Sequence, residues 1–395
     1  MMEGKLVSMK GFVAVSILVL LINSSGQPRN LRSSRTRESK VERIRVGRSP
    51  GSIEAADFNH DGILDLAVTG ESDSSVTILL GKGHGEFCQA EGSSFYAGNA
   101  PNDIAVGDFN KDGNLDLAFA NHDRKYLTVL LGNGKGGFGP AEGSPFSVEV
   151  IPHAHGVATA DFNNDGRLDL VTDSWGNNQI EILWGDAKSL FMTRGTHVKV
   201  GNHPYQRIRV ADVNGDGSAD IVTTNLDGDN ATVLLGDGKG EFHEAPGSPV
   251  PCGTAPFGLA IGDVNGDGKP DLAIINSPAS TSDRTGKNGL TVLFGDGAGR
   301  FSTMKGSPVP SGEIPNRIAI GDINGDGIND IAVSDNGSNK VYVFLMSKLG
   351  ILSQYIVTVG NNPKGIALAD INGDGKADIA VCNNTDNDIS IIFTK

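Results

Sequence analysis

Cysteine is nearly missing from this chain: three in 395 residues, too few and too scattered for a disulfide scaffold. Proline (17) and aromatic residues (6%) are sparse as well, which fits neither collagen nor a Pro-rich disordered segment. Positive charge is in the minority, with 33 Lys and Arg against 47 Asp and Glu and a formal charge of −14, which argues against gripping a nucleic-acid backbone as the main activity. Long apolar runs are lacking too; the run over residues 12–22 is eleven residues, short for a bilayer span. What the chain does have is glycine, 54 residues, roughly twice the usual share. With 38% apolar residues there is enough to build a core, but in short runs cut by turns, which argues against a helix-rich fold.

Charge is unevenly placed. Residues 1–26 set Lys5 and Lys10 before the apolar run and end in Asn23, Ser24, Ser25 and Gly26, the layout of a signal peptide, with a retained membrane anchor as the alternative. Residues 1–26 carry +1 and residues 27–49 carry +6, so residues 50–395 carry −21. The expectation is an exported protein (secreted, periplasmic or at the cell surface) with a basic flexible arm at 27–41 and an acidic body from 42 to 395.

One nonapeptide organises that body. It begins at Asp57, Asp108, Asp161, Asp212, Asp263, Asp322 and Asp370, at intervals of 51, 53, 51, 51, 59 and 48 residues. A period near 50 residues signals a solenoid, propeller or array. Around each copy run a strand-like lead, the loop, a second apolar strand such as LDLAVT, a polar turn, a third strand such as VTILLG, a Gly-rich turn and a short fourth strand. Four-stranded antiparallel units closed in a ring make a β-propeller, an all-β fold that hides its sheet edges. The seventh unit ends after its third strand, while a spare strand stands at residues 42–47, before Pro50. The expected fold is therefore a seven-bladed propeller whose N-terminal strand completes the last blade.

Positions 1, 3, 5 and 9 of every copy are Asp, Asn, Asp and Asp, and position 6 is Gly. The candidate metal ligands are Asp57, Asn59, Asp61 and Asp65; Asp108, Asn110, Asp112 and Asp116; Asp161, Asn163, Asp165 and Asp169; Asp212, Asn214, Asp216 and Asp220; Asp263, Asn265, Asp267 and Asp271; Asp322, Asn324, Asp326 and Asp330; and Asp370, Asn372, Asp374 and Asp378. Hard oxygens at alternate positions with a glycine at the sharp turn suit calcium, giving up to seven structural Ca²⁺ sites. An EF-hand is excluded, because position 12 is apolar or Thr and lies in a strand. Asx turns without metal are the alternative.

This D-x-N-x-D-G-x-x-D series resembles the FG-GAP or VCBS type of calcium-binding propeller, distantly related to the head of integrin α subunits. The family's Phe-Gly tag survives as Phe257 and Gly258, and its Gly-Ala-Pro tag is replaced at Gly70, Asn121, Asn225 and Asn276. The resemblance implies a seven-bladed propeller with structural calcium.

Alternating strand direction puts the calcium loops and the Gly-rich turns on one face, and the irregular residues on the other. Five repeats carry Pro seven residues before the first Asp; the third has Ala154 there, flanked by His153 and His155, and the fourth has Tyr205, near His203. Trp175 lies in the third repeat's second turn. His153, His155, Trp175, His203 and Tyr205 are thus candidate ligand-binding residues, able to stack on a sugar or hold a peptide, with channel filling as the bland alternative. Cys88, Cys252 and Cys382 read as unpaired thiols, and Asn230, Asn336 and Asn383 as sequons in second turns, glycosylated in a eukaryotic secretory pathway and plain turn residues in a bacterial host. The function expected is a monomeric calcium-stabilised binding or adhesion module for an extracellular glycan or protein, with no nucleic-acid partner and no membrane span once the leader is removed. A lyase-type polysaccharide-degrading enzyme is the alternative, with His153, His155, His203, Tyr205 and Arg207 supplying base, acid and charge clamp.

Overall fold

The computed structural model describes residues 41–192, 194–278 and 286–394. Strands dominate it, apart from short 3₁₀ turns such as Trp175–Asn177. Seven antiparallel sheets stand around an axis as blades of a propeller. Blade 1 runs outward through Pro50–Ala56, Asp65–Gly70, Ser75–Gly81 and Phe87–Gln89. Blade 3 begins late, at Val157–Ala160, and continues through Asp169–Ser174, Gln179–Leu183 and Thr196–Lys199.

Apolar residues on both faces of the middle strands explain why blades stack and do not stand alone. The second strands of all seven blades are buried along their whole length, so each needs a neighbour on either side. Seven apolar clusters fill the seven junctions. The one that closes the ring joins Ile53, Leu66 and Val68 of blade 1 to Ala380, Ile389 and Ile391 of blade 7.

The seventh blade holds Pro363–Ala369, Asp378–Asn383 and Asp388–Ile392, and its fourth strand is Val41–Arg45, from the other end of the chain. Val41 lies opposite Ile392 and Arg45 opposite Asp388. Arg43 pins the pair through Asp386 and, at 2.7 Å, Asp388. The strand starts one residue before the expected boundary, because Val41 is buried in the junction of blades 6 and 7; the expected leader and the rest of the arm lie outside the described residues.

Two local expectations need correction. Fourth strands in blades 1, 2 and 4 come in two pieces, as in Phe87–Gln89 and Phe95–Tyr96, separated by a turn whose serine hydroxyl takes over a strand position. Ser93, Ser144 and Ser248 each accept an N–H of the third strand at 2.8–3.0 Å, as does Ser307 in blade 5 at 3.1 Å. Asn383 is no glycosylation site in the folded protein: it is fully buried at the end of a strand and donates to Asp388 and Ser390, each at 2.8 Å. The three cysteines are free, with Cys252 and Cys382 buried.

Stripping the strand Val41–Arg45 exposes an unpaired sheet edge, whereas residues 1–40 lie before it. A chain starting at Val41 is expected to elute as a monomer, and one starting at Pro50 to aggregate. Equal behaviour in light scattering would contradict closure by this strand.

Candidate functional site

Each nonapeptide folds as a tight loop around its own side chains. In the first, Asp57 accepts the N–H of Asp61 at 3.2 Å and of Gly62 at 2.8 Å, and Asn59 Oδ1 accepts that of Asp61 at 3.0 Å. Gly62 has φ +79°, which is why position 6 is glycine. The second residue, Phe58 here, is buried and anchors the loop in the core. Asp65 at position 9 is fully buried and accepts the Phe58 N–H at 2.8 Å and the Gly81 N–H of the third strand at 2.7 Å. Burial, opposed by these two donors, raises its carboxyl to about 6, and the charges of Asp61 and Asp57 add to the rise. The ninth Asp of every other loop is likewise pushed up to about 6, by burial first. Three acids and an amide oxygen per loop, one acid carrying an uncomfortable charge, form a donor set that fits a hard divalent cation. The loops meet the Gly-rich turns of neighbouring blades on one face, through Gly136 N–H to Phe58 O at 3.2 Å and Asn164 Nδ2 to Gly238 O at 3.1 Å.

The opposite face carries the irregular side chains, and the structure brings all five expected residues together. Trp175 stacks on His203 at 4.5 Å and 16°, and Tyr205 meets His155 at 4.4 Å and His203 at 5.3 Å. His153 and His155 lie 4.6 Å apart, each 6.2 Å from Trp175. Two details differ from expectation. Tyr205 belongs to a strand, Pro204–Ala211, because Pro204 takes the place that Pro50 and its equivalents hold elsewhere and a bulge follows. His155 is 1% exposed, so it supports the patch from beneath. Asp173 holds it, accepting the His155 and Gly156 N–H groups at 3.0 and 2.6 Å and facing Nδ1 at 3.3 Å. Asp227 holds His203 through Nδ1 at 2.7 Å.

His122 also belongs here, 4.5 Å from His153 and 4.8 Å from His155. A signal existed: six residues after the ninth Asp, the blades carry Glu71, His122, Trp175, Leu226, Ser277, Asn336 and Asn384, so His122 is the blade 2 counterpart of Trp175. Burial, then the charge of His155, lowers the pKa of His122 and His153, against the pull of Asp123.

Beneath the patch, first strands line a central channel with a cavity of about 290 Å³ bounded by Glu54, Arg209, Ile318, Ile366 and others. Asp103 of the blade 2 first strand, itself buried, lies 2.7 Å from buried Arg207 and 3.8 Å from the lining residue Arg209. Arg207 is thus a buried cation paired with Asp103.

The model of the FG-GAP-like repeat matches residues 57–119, 108–172, 212–274 and 322–381. The chain belongs to the FG-GAP-like repeat family. Over 209 residues this FG-GAP protein is 26% identical to cartilage acidic protein 1 of Xenopus tropicalis, covering 47% of this chain and 31% of that protein, so it spans about a third of that relative's length. Three solved structures share the FG-GAP chain's fold. BBS1N, in complex with ARL6DN, has a TM-score of 0.58 at 13% identity, over 89% of this chain and 94% of its own. An Agrocybe aegerita lectin that recognises non-reducing terminal N-acetylglucosamine has 0.50 at 18%, over 88% and 90%. The periplasmic gluconolactonase of Pseudomonas aeruginosa has 0.57 at 15%, over 88% and 97%. At these identities the likeness is one of fold alone. Among the described residues of the FG-GAP propeller no helix is long and apolar enough to cross a membrane.

The channel wall supplies a pH test. Burial raises Glu54 from 4.5 to about 7, with Arg209 opposing and Asp103 adding to the rise. The folded state therefore holds this proton more tightly than the unfolded chain, and the stabilisation is complete below pH 4.5 and lost as pH rises through 7. Glu54→Gln removes that slope: relative to the variant, the natural protein is expected to lose about 1–2 kcal/mol between these pH values, discounted for water in the channel. Parallel denaturation curves across the range would contradict it.

Proposed function

We propose that this FG-GAP propeller is a calcium-stabilised module of the extracellular or periplasmic space that binds a glycan or protein on the face opposite its acidic loops. The observation that carries the reading is the patch of Trp175, His203, Tyr205 and His153, gathered where the repeat departs from its own pattern. Trp175 Nε1 and His203 Nε2 are buried there without a hydrogen-bond partner in the protein, donors or acceptors that a bound molecule would satisfy. Amphipathic rings with polar tips are what sugar faces and peptide anchors use. The second, enzymatic reading loses its charge clamp with Arg207 buried against Asp103.

Calcium would be held by the Asp, Asn, Asp and Asp oxygens of each loop and supply charge neutralisation, relieving the repulsion among three carboxylates. Hydrogen bonds already close the loop backbone, so the ion's part is stabilisation. A site at ten times its dissociation constant adds about 1.4 kcal/mol, and seven add several times that. Excess EGTA is expected to lower the melting temperature by ten degrees or more on the order-of-magnitude scale of such changes; an unchanged melt would count against metal in the loops.

On a glycan and protein array, Trp175→Ala and Tyr205→Ala are each expected to weaken whatever binds by about 1–3 kcal/mol, with calcium-dependent melting unchanged. Full affinity in the double variant would sink the assignment of the face.

A further inference from the structure

Among the described residues, one group of three metal-ligating side chains has its ligand atoms within 4.8 Å of one another: His122, His153 and His155. It lies outside the nonapeptides, on the other face. The three ring centroids form a nearly equilateral triangle, 4.5, 4.6 and 4.8 Å on a side, with the rings tilted by 54–65° so that edges, not faces, converge. His153 Nε2 and His155 Nε2 are 3.1 Å apart.

Every imidazole in the group turns Nδ1 toward a carboxylate. His122 faces Asp123 at 3.3 Å, His153 the same Asp123 at 3.7 Å, and His155 faces buried Asp173 at 3.3 Å. The carboxylates 3.3 Å behind His122 and His155 orient those rings and make the far nitrogen a better donor, the arrangement that surrounds metal-bound histidines, and Asp123 adds its charge beside His153. The backbone is held as well: Asn102 Nδ2 donates to His155 O at 3.0 Å, and the His122 N–H to Ala100 O at 2.9 Å.

We propose that His122, His153 and His155 bind a divalent transition-metal ion of the zinc class, chemically distinct from the calcium of the loops. Nitrogen ligands at about 2.0–2.1 Å from a tetrahedral ion stand roughly 3.3 Å from each other, close to the His153–His155 spacing. Three neutral imidazoles with no oxygen or thiolate among them select zinc, cobalt, nickel or copper over calcium or magnesium. The fourth position falls to water or to an oxygen of a molecule held at the neighbouring Trp175 and Tyr205. The site does not depend on that molecule, or on calcium in the loops, and is read by metal binding alone.

The test uses the full chain without a polyhistidine tag, stripped of metal and returned to excess calcium. Isothermal titration with zinc is expected to show one tight site per chain, and cobalt to develop the visible absorption of a tetrahedral nitrogen site. His122→Ala and His153→Ala, changes at partly exposed positions, are each expected to weaken zinc binding at least about tenfold without altering the calcium-dependent melt, and Asp123→Asn to weaken it by about 10–100-fold. No tight zinc site in the natural chain, or an undiminished one in the His122→Ala, His153→Ala double variant, would overturn the proposal.

Discussion

The carboxylate at the ninth position of each nonapeptide accepts one N–H from its own loop and one from the end of the third strand or, in blades 3 and 7, from a residue just beyond it. For Asp65 these come from Phe58 and Gly81; for Asp378 the partner in the last blade is Thr394. Because the group is wholly buried, losing either donor would leave a charge without compensation, a cost of several times an ordinary hydrogen bond. This contact makes the hairpin loop and the third strand one unit, and the other features lean on it. In the first blade it fixes where Phe58 enters the core, while Asp57 closes the loop by accepting the Asp61 and Gly62 N–H groups.

Stability beyond the single blade is collective. Each second strand is apolar on both sides, so a blade removed from its neighbours exposes two sticky faces; the ring satisfies all of them only by closing. Closure falls to Val41–Arg45, whose distance from Asp388–Ile392 along the chain makes it the most entropically expensive pairing and the one that turns an array into a ring.

The candidate sites sit where the repeat fails. On the nonapeptide face the copies agree and the geometry repeats; on the other face blade 3 gives up the start of its first strand, and the freed segment carries His153 and His155. Asp173, at a position filled by Ala, Thr, Ile, Ser or Cys in other blades, takes up the N–H groups that a strand would have paired. A departure in one position is thus compensated in another.

The repeat period, the strand alternation and the spare strand at residues 42–47 sufficed to read the fold, its blade number and its closure, since hydrophobic pattern and turn chemistry are local and recur seven times. The five patch residues were legible for the same reason in reverse, as breaks in a pattern. His122 carried the same positional signal as Trp175 but stood out only in the structure, and Asp123 and Asp173 carried none. Their role depends on how strands within blade 3 and between blades 2 and 3 are set against each other, which decides whether side chains as far apart in sequence as Asp173 and His155 or His122 and His153 point at one spot. Burial of His155 and Arg207 was likewise decided in three dimensions: a bulge after Pro204 and a shortened strand in blade 3 turn side chains inward that sequence alone places at a mouth. Local pattern determines which strands form; only their packing around a closed ring decides which polar groups meet.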